Sequence, residues 1–207
     1  MQCQRCHKKD FIGYINTNHQ TICERCYGID DSYRWVKIMS NFDKAIKVIF
    51  KHEGVYSEDH AGATKYGITL RSLDIDIDHD GDIDMDDIRE MTKEDAILFY
   101  KRRWWDQYNY DKINNDKVAT KLFDIAVNMG QQQASLLIQR ALRACDRLGI
   151  AEDGKLGSKS FKAINTTESE RLISALRSEA AGFYRLIVAK NSDYKTFLNG
   201  WLNRAYS

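Results

Sequence analysis

The chain has 207 residues, 43% hydrophobic and 29% charged, ordinary values for a soluble globular protein long enough for one good core and an appendage. Its formal net charge of +1 offers no basic surface, so no nucleic-acid partner is expected. No apolar run is long enough to span a membrane, and the amino terminus lacks the hydrophobic stretch of a secretory signal, so synthesis in the cytoplasm without a signal peptide is expected.

Four of the five cysteines fall in two pairs, Cys3-x-x-Cys6 and Cys23-x-x-Cys26, on either side of a run of β formers and turn residues from Phe11 to Asn18. Thiolates at this spacing suit tetrahedral Zn2+, and so short a module has too little core to hold a hairpin without a clamp. Residues 1–34 therefore read as a zinc-ribbon-like module with a structural ion on Cys3, Cys6, Cys23 and Cys26. Two disulfides or four free thiols are the alternatives, and a cytosolic start argues against the disulfides. His7 and His19 read as solvated, because four cysteines already close the site. Residues 30–38 read as a linker, with Ser40 or Asn41 placed to cap the first helix.

Phe42, Ala45, Ile46, Ile49 and Phe50 recur at helical spacing and predict a helix with one apolar face. Glu53 follows Ile49 by four positions and Ile46 by seven, so its carboxyl leaves the helix end on the core side, where Gly54 stops the helix. A carboxyl against an apolar wall resists ionisation and keeps the proton a general acid needs. Taken alone, a helix-end glutamate exposed to water is the simpler reading.

Three blocks change that reading: Glu53-Gly54-Val55-Tyr56, then Gly62-Ala63-Thr64-Lys65-Tyr66-Gly67-Ile68-Thr69, then Phe123-Asp124-Ile125-Ala126-Val127-Asn128-Met129-Gly130. In this order they resemble the N-acetylmuramidases of glycoside hydrolase family 108, largely phage endolysins and bacterial wall hydrolases. The resemblance implies a mainly α, lysozyme-like domain over residues 40–130, following the small zinc-clamped β-hairpin module. It also implies cleavage of the β-1,4 bond between N-acetylmuramic acid and N-acetylglucosamine in the glycan strands of peptidoglycan, with Glu53 as the general acid. A second carboxyl is generally needed to attack, to activate water or to stabilise the oxocarbenium-like transition state. The connection Ser57-Glu58-Asp59-His60-Ala61 is shorter than in the family; Asp59 is the first choice for that carboxyl and Glu58 the second, with Thr64 placed to position a water. Tyr66, Glu58 and Asn128 are candidate substrate contacts. Tyr66 reads equally as packing, and Asp124 and Asn128, four apart on a helix, read as structural.

From Asp76 to Asp87 the chain has the layout of an EF-hand loop. Asp76, Asp78 and Asp80 supply oxygens, Gly81 the sharp turn, Asp82 a backbone carbonyl, Ile83 an inward side chain, and Asp87 stands where a longer glutamate is usual. A structural Ca2+ held by Asp76, Asp78, Asp80, Asp82 and Asp87 is expected, because carboxylates this crowded repel one another unless a cation neutralises them. An acidic surface loop is the alternative.

Thr92-Lys93-Glu94-Asp95 reads as a helix cap, followed by Ala96, Phe99, Tyr100 and Arg103 on one face and by Trp104 and Trp105 as core. Over residues 131–207, Ala134, Leu137, Ile138, Ala141, Leu142, Cys145 and Leu148 predict a buried helix face, with Cys145 a packed thiol. The turn Glu152 to Gly157 resembles that of the peptidoglycan-binding region that commonly follows the family's catalytic domains. Thr167 and Glu170 read as a capping box, and Phe197, Leu198, Trp201, Leu202 and Ala205 as a last amphipathic helix packed with the others on the catalytic part. The functional expectation is a monomeric phage-type endolysin that reaches the wall after a holin opens the membrane. A lytic transglycosylase and a non-catalytic wall-binding or adaptor protein are the alternatives.

Overall fold

The computed structural model describes residues 13–15, 21–23, 36–38, 41–52, 56–59 and 62–207. The chain divides into two compact units, Met1–Lys44 and Ala45–Ser207. In the first unit, strands β1 (Gly13–Ile15), β2 (Thr21–Cys23) and β3 (Val36–Ile38) form an antiparallel sheet in the order β2-β1-β3. Gly13 pairs with Cys23 on one side and with Ile38 on the other. A third strand thus stands where the sequence pointed to a linker, because the β-branched Val36 and Ile38 suit a pleated edge.

Helix α1 (Asn41–His52) buries the predicted face, with Ala45 and Ile49 fully buried and Ile46 nearly so. Burial of each large side chain in that row stabilises the fold by roughly 1.5–3 kcal/mol. A second antiparallel sheet follows in the order β4-β5-β6, from β4 (Tyr56–Asp59), β5 (Gly62–Lys65) and β6 (Ile68–Thr69). Tyr66 and Gly67, at φ 53° and 78°, join β5 to β6. Two consecutive left-handed residues are the backbone that a tight two-residue hairpin requires.

The acidic stretch leads into α2 (Met85–Glu90), and Thr92 opens α3 (Lys93–Tyr100) with the predicted reciprocal cap. Its hydroxyl accepts from Asp95 N at 3.2 Å while the Asp95 carboxylate accepts from Thr92 N at 2.8 Å. From Lys101 to Asp106 the helix widens into a π-type turn. The wider turn sends Trp105 into the core, stacked on Tyr110 at 5.5 Å and edge-on to Phe123, whereas Trp104 stays half-buried beside Tyr108. Arg103 is exposed rather than sharing the buried face of Ala96, Phe99 and Tyr100.

Helix α4 (Asp116–Met129) is the central strut, buried on nearly every turn from Val118 to Ala126. It packs against α5 (Gln131–Ala144) and α7 (Ser169–Lys190); α5 carries α6 (Ser158–Thr166), and α7 carries α8 (Leu198–Tyr206). Among the described residues the architecture is mainly α, a lysozyme-like helical domain with only short strands. Three local expectations fail at helix ends. Leu148 is 70% exposed because α5 stops at Ala144 and Asp146 turns left-handed at φ 66°. The cap of α7 is Glu168, whose carboxylate accepts from Glu170 N and Arg171 N, while the Thr167 hydroxyl donates back to the Ala163 carbonyl. Phe197, at the entry to α8, is 55% exposed.

Candidate active site

The carboxyl end of α1 is the stretch where the sequence led the chemistry to be expected. Ile49 is fully buried one turn before the end, and the ring of Phe50 lies 5.5 Å from Tyr66 and 6.2 Å from Tyr100. The Tyr100 hydroxyl donates to the Tyr66 carbonyl at 2.9 Å and so holds the left-handed turn in place. Tyr66 itself is half-buried against that wall. Glu53, the residue after α1, lies outside the described residues.

The second-carboxylate candidates stand on a strand, where the sequence suggested a loop. Ser57 pairs opposite Thr64, Glu58 opposite Ala63 and Asp59 opposite Gly62, with only residues 60–61 between the strands. Positions two apart alternate together in a ladder, so Asp59 and Thr64 hold positions of one parity and Glu58 the other. Thr64 is half-buried, and Lys65 Nζ donates to the Arg89 carbonyl, tying β5 to the end of α2.

His52 marks what lies next to the end of α1. Burial lowers its imidazole pKa; Asp124 pulls it upward, while Arg204, Lys121 and Lys51 push it down further. Asp124, Arg204 and Lys121 form a buried ion cluster: Arg204 Nε donates to Asp124 Oδ1 at 3.0 Å, and Lys121 Nζ lies 3.5 Å from Asp124 Oδ2 and donates to the Arg204 carbonyl. The side chains of Lys121 and Asp124 are 7% and 2% exposed, so the carboxylate is flanked by two cations away from water. Burial depresses the Lys121 ammonium and Asp124 restores it only in part. One turn beyond Asp124, exposed Asn128 accepts a 2.6 Å hydrogen bond from the Tyr184 hydroxyl. Burial foremost pushes that phenol up to about 12, so it stays a donor.

The acidic loop has the backbone of a cation loop. His79 and Gly81 take φ 65° and 107°, and the Asp76 carboxylate accepts from His79 N at 2.6 Å and from Gly81 N at 3.1 Å. The oxygens of Asp76, Asp78 and Asp80 lie within 4.8 Å of one another, as do those of Asp82, Asp84 and Asp87, which makes two acidic groups rather than one sphere. Buried Asp87 accepts from Ile77 N, from Asp78 N at 3.4 Å and from Asp84 N at 2.7 Å. Desolvation raises Asp87, but those three backbone N–H groups outweigh it and hold its pKa below the usual value. Repulsion from Asp80 foremost raises Asp82. Ile83 is 44% exposed and does not pack inward, because the following residues turn at once into α2, capped by Asp84. Of the cysteine set, Cys23 ends β2, while Cys3, Cys6 and Cys26 lie outside the described residues.

Sequence reasoning missed the cations of Lys121 and Arg204 and the role of Gln139. Buried Gln139 donates to Asp153 Oδ1 at 2.7 Å and to the Lys155 carbonyl at 2.9 Å, and accepts from Gly154 N at 2.9 Å, so one amide holds the 152–157 turn. Gly154, at φ 71°, sits where a Cβ would stand 3.0 Å from Gln132 Cγ. Cys145 is buried, and burial pushes its thiol up, which suits a packed side chain.

Residues 46–130 match the family described as Glycosyl hydrolase 108, and residues 133–206 match a Predicted Peptidoglycan domain. Of the solved structures, Brucella abortus SagA is 26% identical, with a TM-score of 0.61 over 79% of this chain and 88% of that one. No curated protein matches the chain. Among the described residues no helix is long and apolar enough to cross a membrane. A match to Glycosyl hydrolase 108 followed directly by a match to a peptidoglycan domain supports a glycoside hydrolase directed at peptidoglycan.

Proposed function

We propose that the chain is an N-acetylmuramidase that cuts the β-1,4 bond after N-acetylmuramic acid. The observation that carries this reading is the Glycosyl hydrolase 108 match across the end of α1, where an apolar row of fully buried Ala45 and Ile49 leads straight to Glu53. In this reading Glu53 protonates the leaving oxygen as general acid. Asp59 is the partner carboxylate, favoured over Glu58 because it shares ladder parity with Thr64, whose hydroxyl positions a water. Purified sacculi should lose turbidity with the parent chain and keep it with Glu53→Gln, a loss on the order of 100-fold or more for a general acid. Equal activity of the two proteins would falsify the assignment. Mass spectrometry of the released fragments gives the bond: reducing N-acetylmuramic acid ends support hydrolysis, and anhydro ends point to transglycosylase chemistry. The reading extends to an endolysin role, tested by whether induced cells lyse only when a holin is supplied with the chain.

Two structural ions belong to the same proposal. Ca2+ suits the all-oxygen donors of the Asp76, Asp78 and Asp80 group, and completing the sphere with Asp87 and the Asp82 carbonyl would require the second acidic group to close on the first. Zn2+ fits four thiolates, Cys3, Cys6, Cys23 and Cys26. Elemental analysis of metal-replete protein that found neither ion would remove both assignments.

A further inference from the structure

Beyond the end of α5 the chain turns through residues 146–150 and lies along α6, and an open cavity of about 280 Å3 remains between them. One wall is a single face of α6, on which Lys159, Lys162, Ala163 and Thr166 recur at helical spacing. Ile150 and Ala163, 5% and 9% exposed, give the cavity an apolar floor, and Leu148, 70% exposed, stands at its rim. Lys159 reaches across to the loop, its Nζ 3.8 Å from where a Cβ on Gly149 would be.

The charges around this cavity do not balance. Asp146, the acid in its lining, is already answered by Arg171 at 2.7 Å. Arg147 donates to the Thr167 hydroxyl at 3.0 Å and to the Thr166 carbonyl at 2.6 Å, so its guanidinium is held in place by neutral groups with no acid against it. Lys159 and Lys162 are exposed and have no ion-pair partner among the described residues. Three cations therefore meet over an apolar floor, in a chain whose net charge is only +1. Such a lining selects a carboxylate carried on a small aliphatic group: the cations take its oxygens, and Leu148, Ile150 and Ala163 take its carbon. Among the described residues no aromatic ring lines the cavity, so neither a sugar ring nor a nucleic-acid base has a face to stack on.

We propose that the cavity between residues 146–150 and α6 binds a free carboxylate of the peptide stems of peptidoglycan, with Arg147, Lys159 and Lys162 holding its oxygens. This deepens the peptidoglycan reading above and rests on it: the polymer is gripped by its stems while its glycan is cut. The test follows co-sedimentation of full-length Glu53→Gln protein with purified sacculi and with the same sacculi after amidation of their carboxyl groups. Amidation should weaken binding about tenfold, the scale of two exposed charge-assisted contacts. Replacing both lysines, Lys159→Gln with Lys162→Gln, should cause the same loss on untreated sacculi and no further loss on amidated ones, with the melting temperature unchanged. Gly149→Asp keeps every cation but sets a carboxylate of the chain's own beside Lys159, and it should weaken binding of untreated sacculi likewise. Lys159→Arg with Lys162→Arg should retain the original affinity. Undiminished affinity in both the glutamine and the Gly149→Asp variants overturns the site, as does a glutamine-variant loss that persists in full on amidated sacculi. Competition by inorganic phosphate as effective as that by a free stem peptide also overturns it, since the cations would then be a general anion patch. A chain that binds neither form of sacculus removes the peptidoglycan reading together with the cavity, whereas one that binds both forms alike removes the cavity alone.

Discussion

Aspartate is treated in two opposite ways in this chain. Between residues 76 and 87 seven aspartates crowd together, most of them exposed, and their mutual repulsion raises Asp82. Asp124 is buried in the helical core, and the protein supplies its counter-charges itself through Lys121 and Arg204. A carboxylate that brings its own cations is fixed by the fold, whereas a cluster of seven in which Arg89 answers Asp86 alone at the exposed edge depends for the rest on solvent or on an ion.

The contrast predicts different responses to the same insults. Asp124→Ala leaves two cations in the core without their anion and should destabilise by about 3–5 kcal/mol, whether or not calcium is present. Denaturant melts in calcium and in chelator measure this, and a calcium-dependent loss would break the distinction. Calcium at about 100 times its Kd should stabilise the parent by about 2.7 kcal/mol, and Asp80→Asn should reduce that gain. A thermal melt with no calcium response would return the loop to ordinary acidic surface. Asp84→Ala removes the cap of α2, where the carboxylate accepts from Asp86 N at 2.7 Å, and should cost about 1 kcal/mol in chelator. The smallest effect concerns His52. Its folded pKa lies below 6.5, so as pH falls through 6.5 the unfolded chain takes up the proton first and stability declines toward the folded value. His52→Gln should flatten that part of the melting-temperature profile, and superimposable profiles would show that the imidazole makes no such contribution.

The parts of this fold that were legible in the sequence are those fixed by short-range periodicity. The face of α1, the Thr92 cap and the buried row of α5 follow from spacing that any helix must obey. Leu148, Phe197 and Ile83 were misplaced for one shared reason: a periodic pattern gives no sign that the backbone has turned off its axis, and each lies at or just beyond an element boundary. Residue identity alone marked the acidic run from Asp76 to Asp87 as a stretch to inspect, but no pattern marks partners that are distant in the chain. Arg204 meets Asp124 across 80 residues, and no local pattern marks a single arginine near the end of a helix as its counter-charge. Likewise Gln139 looks like any polar residue on α5 until the 152–157 turn folds over it.

The contact between Arg204 and Asp124 also sets an order of events during synthesis. The segment up to residue 130 leaves the ribosome with Lys121 already beside Asp124 in sequence, while Arg204, the second and closer cation, has still to be made. Residues 45–130 are therefore expected to stay loosely packed as a nascent chain and to consolidate only when the final helix closes on them. The residues that match the peptidoglycan domain thus supply the last piece of the packing around Asp124.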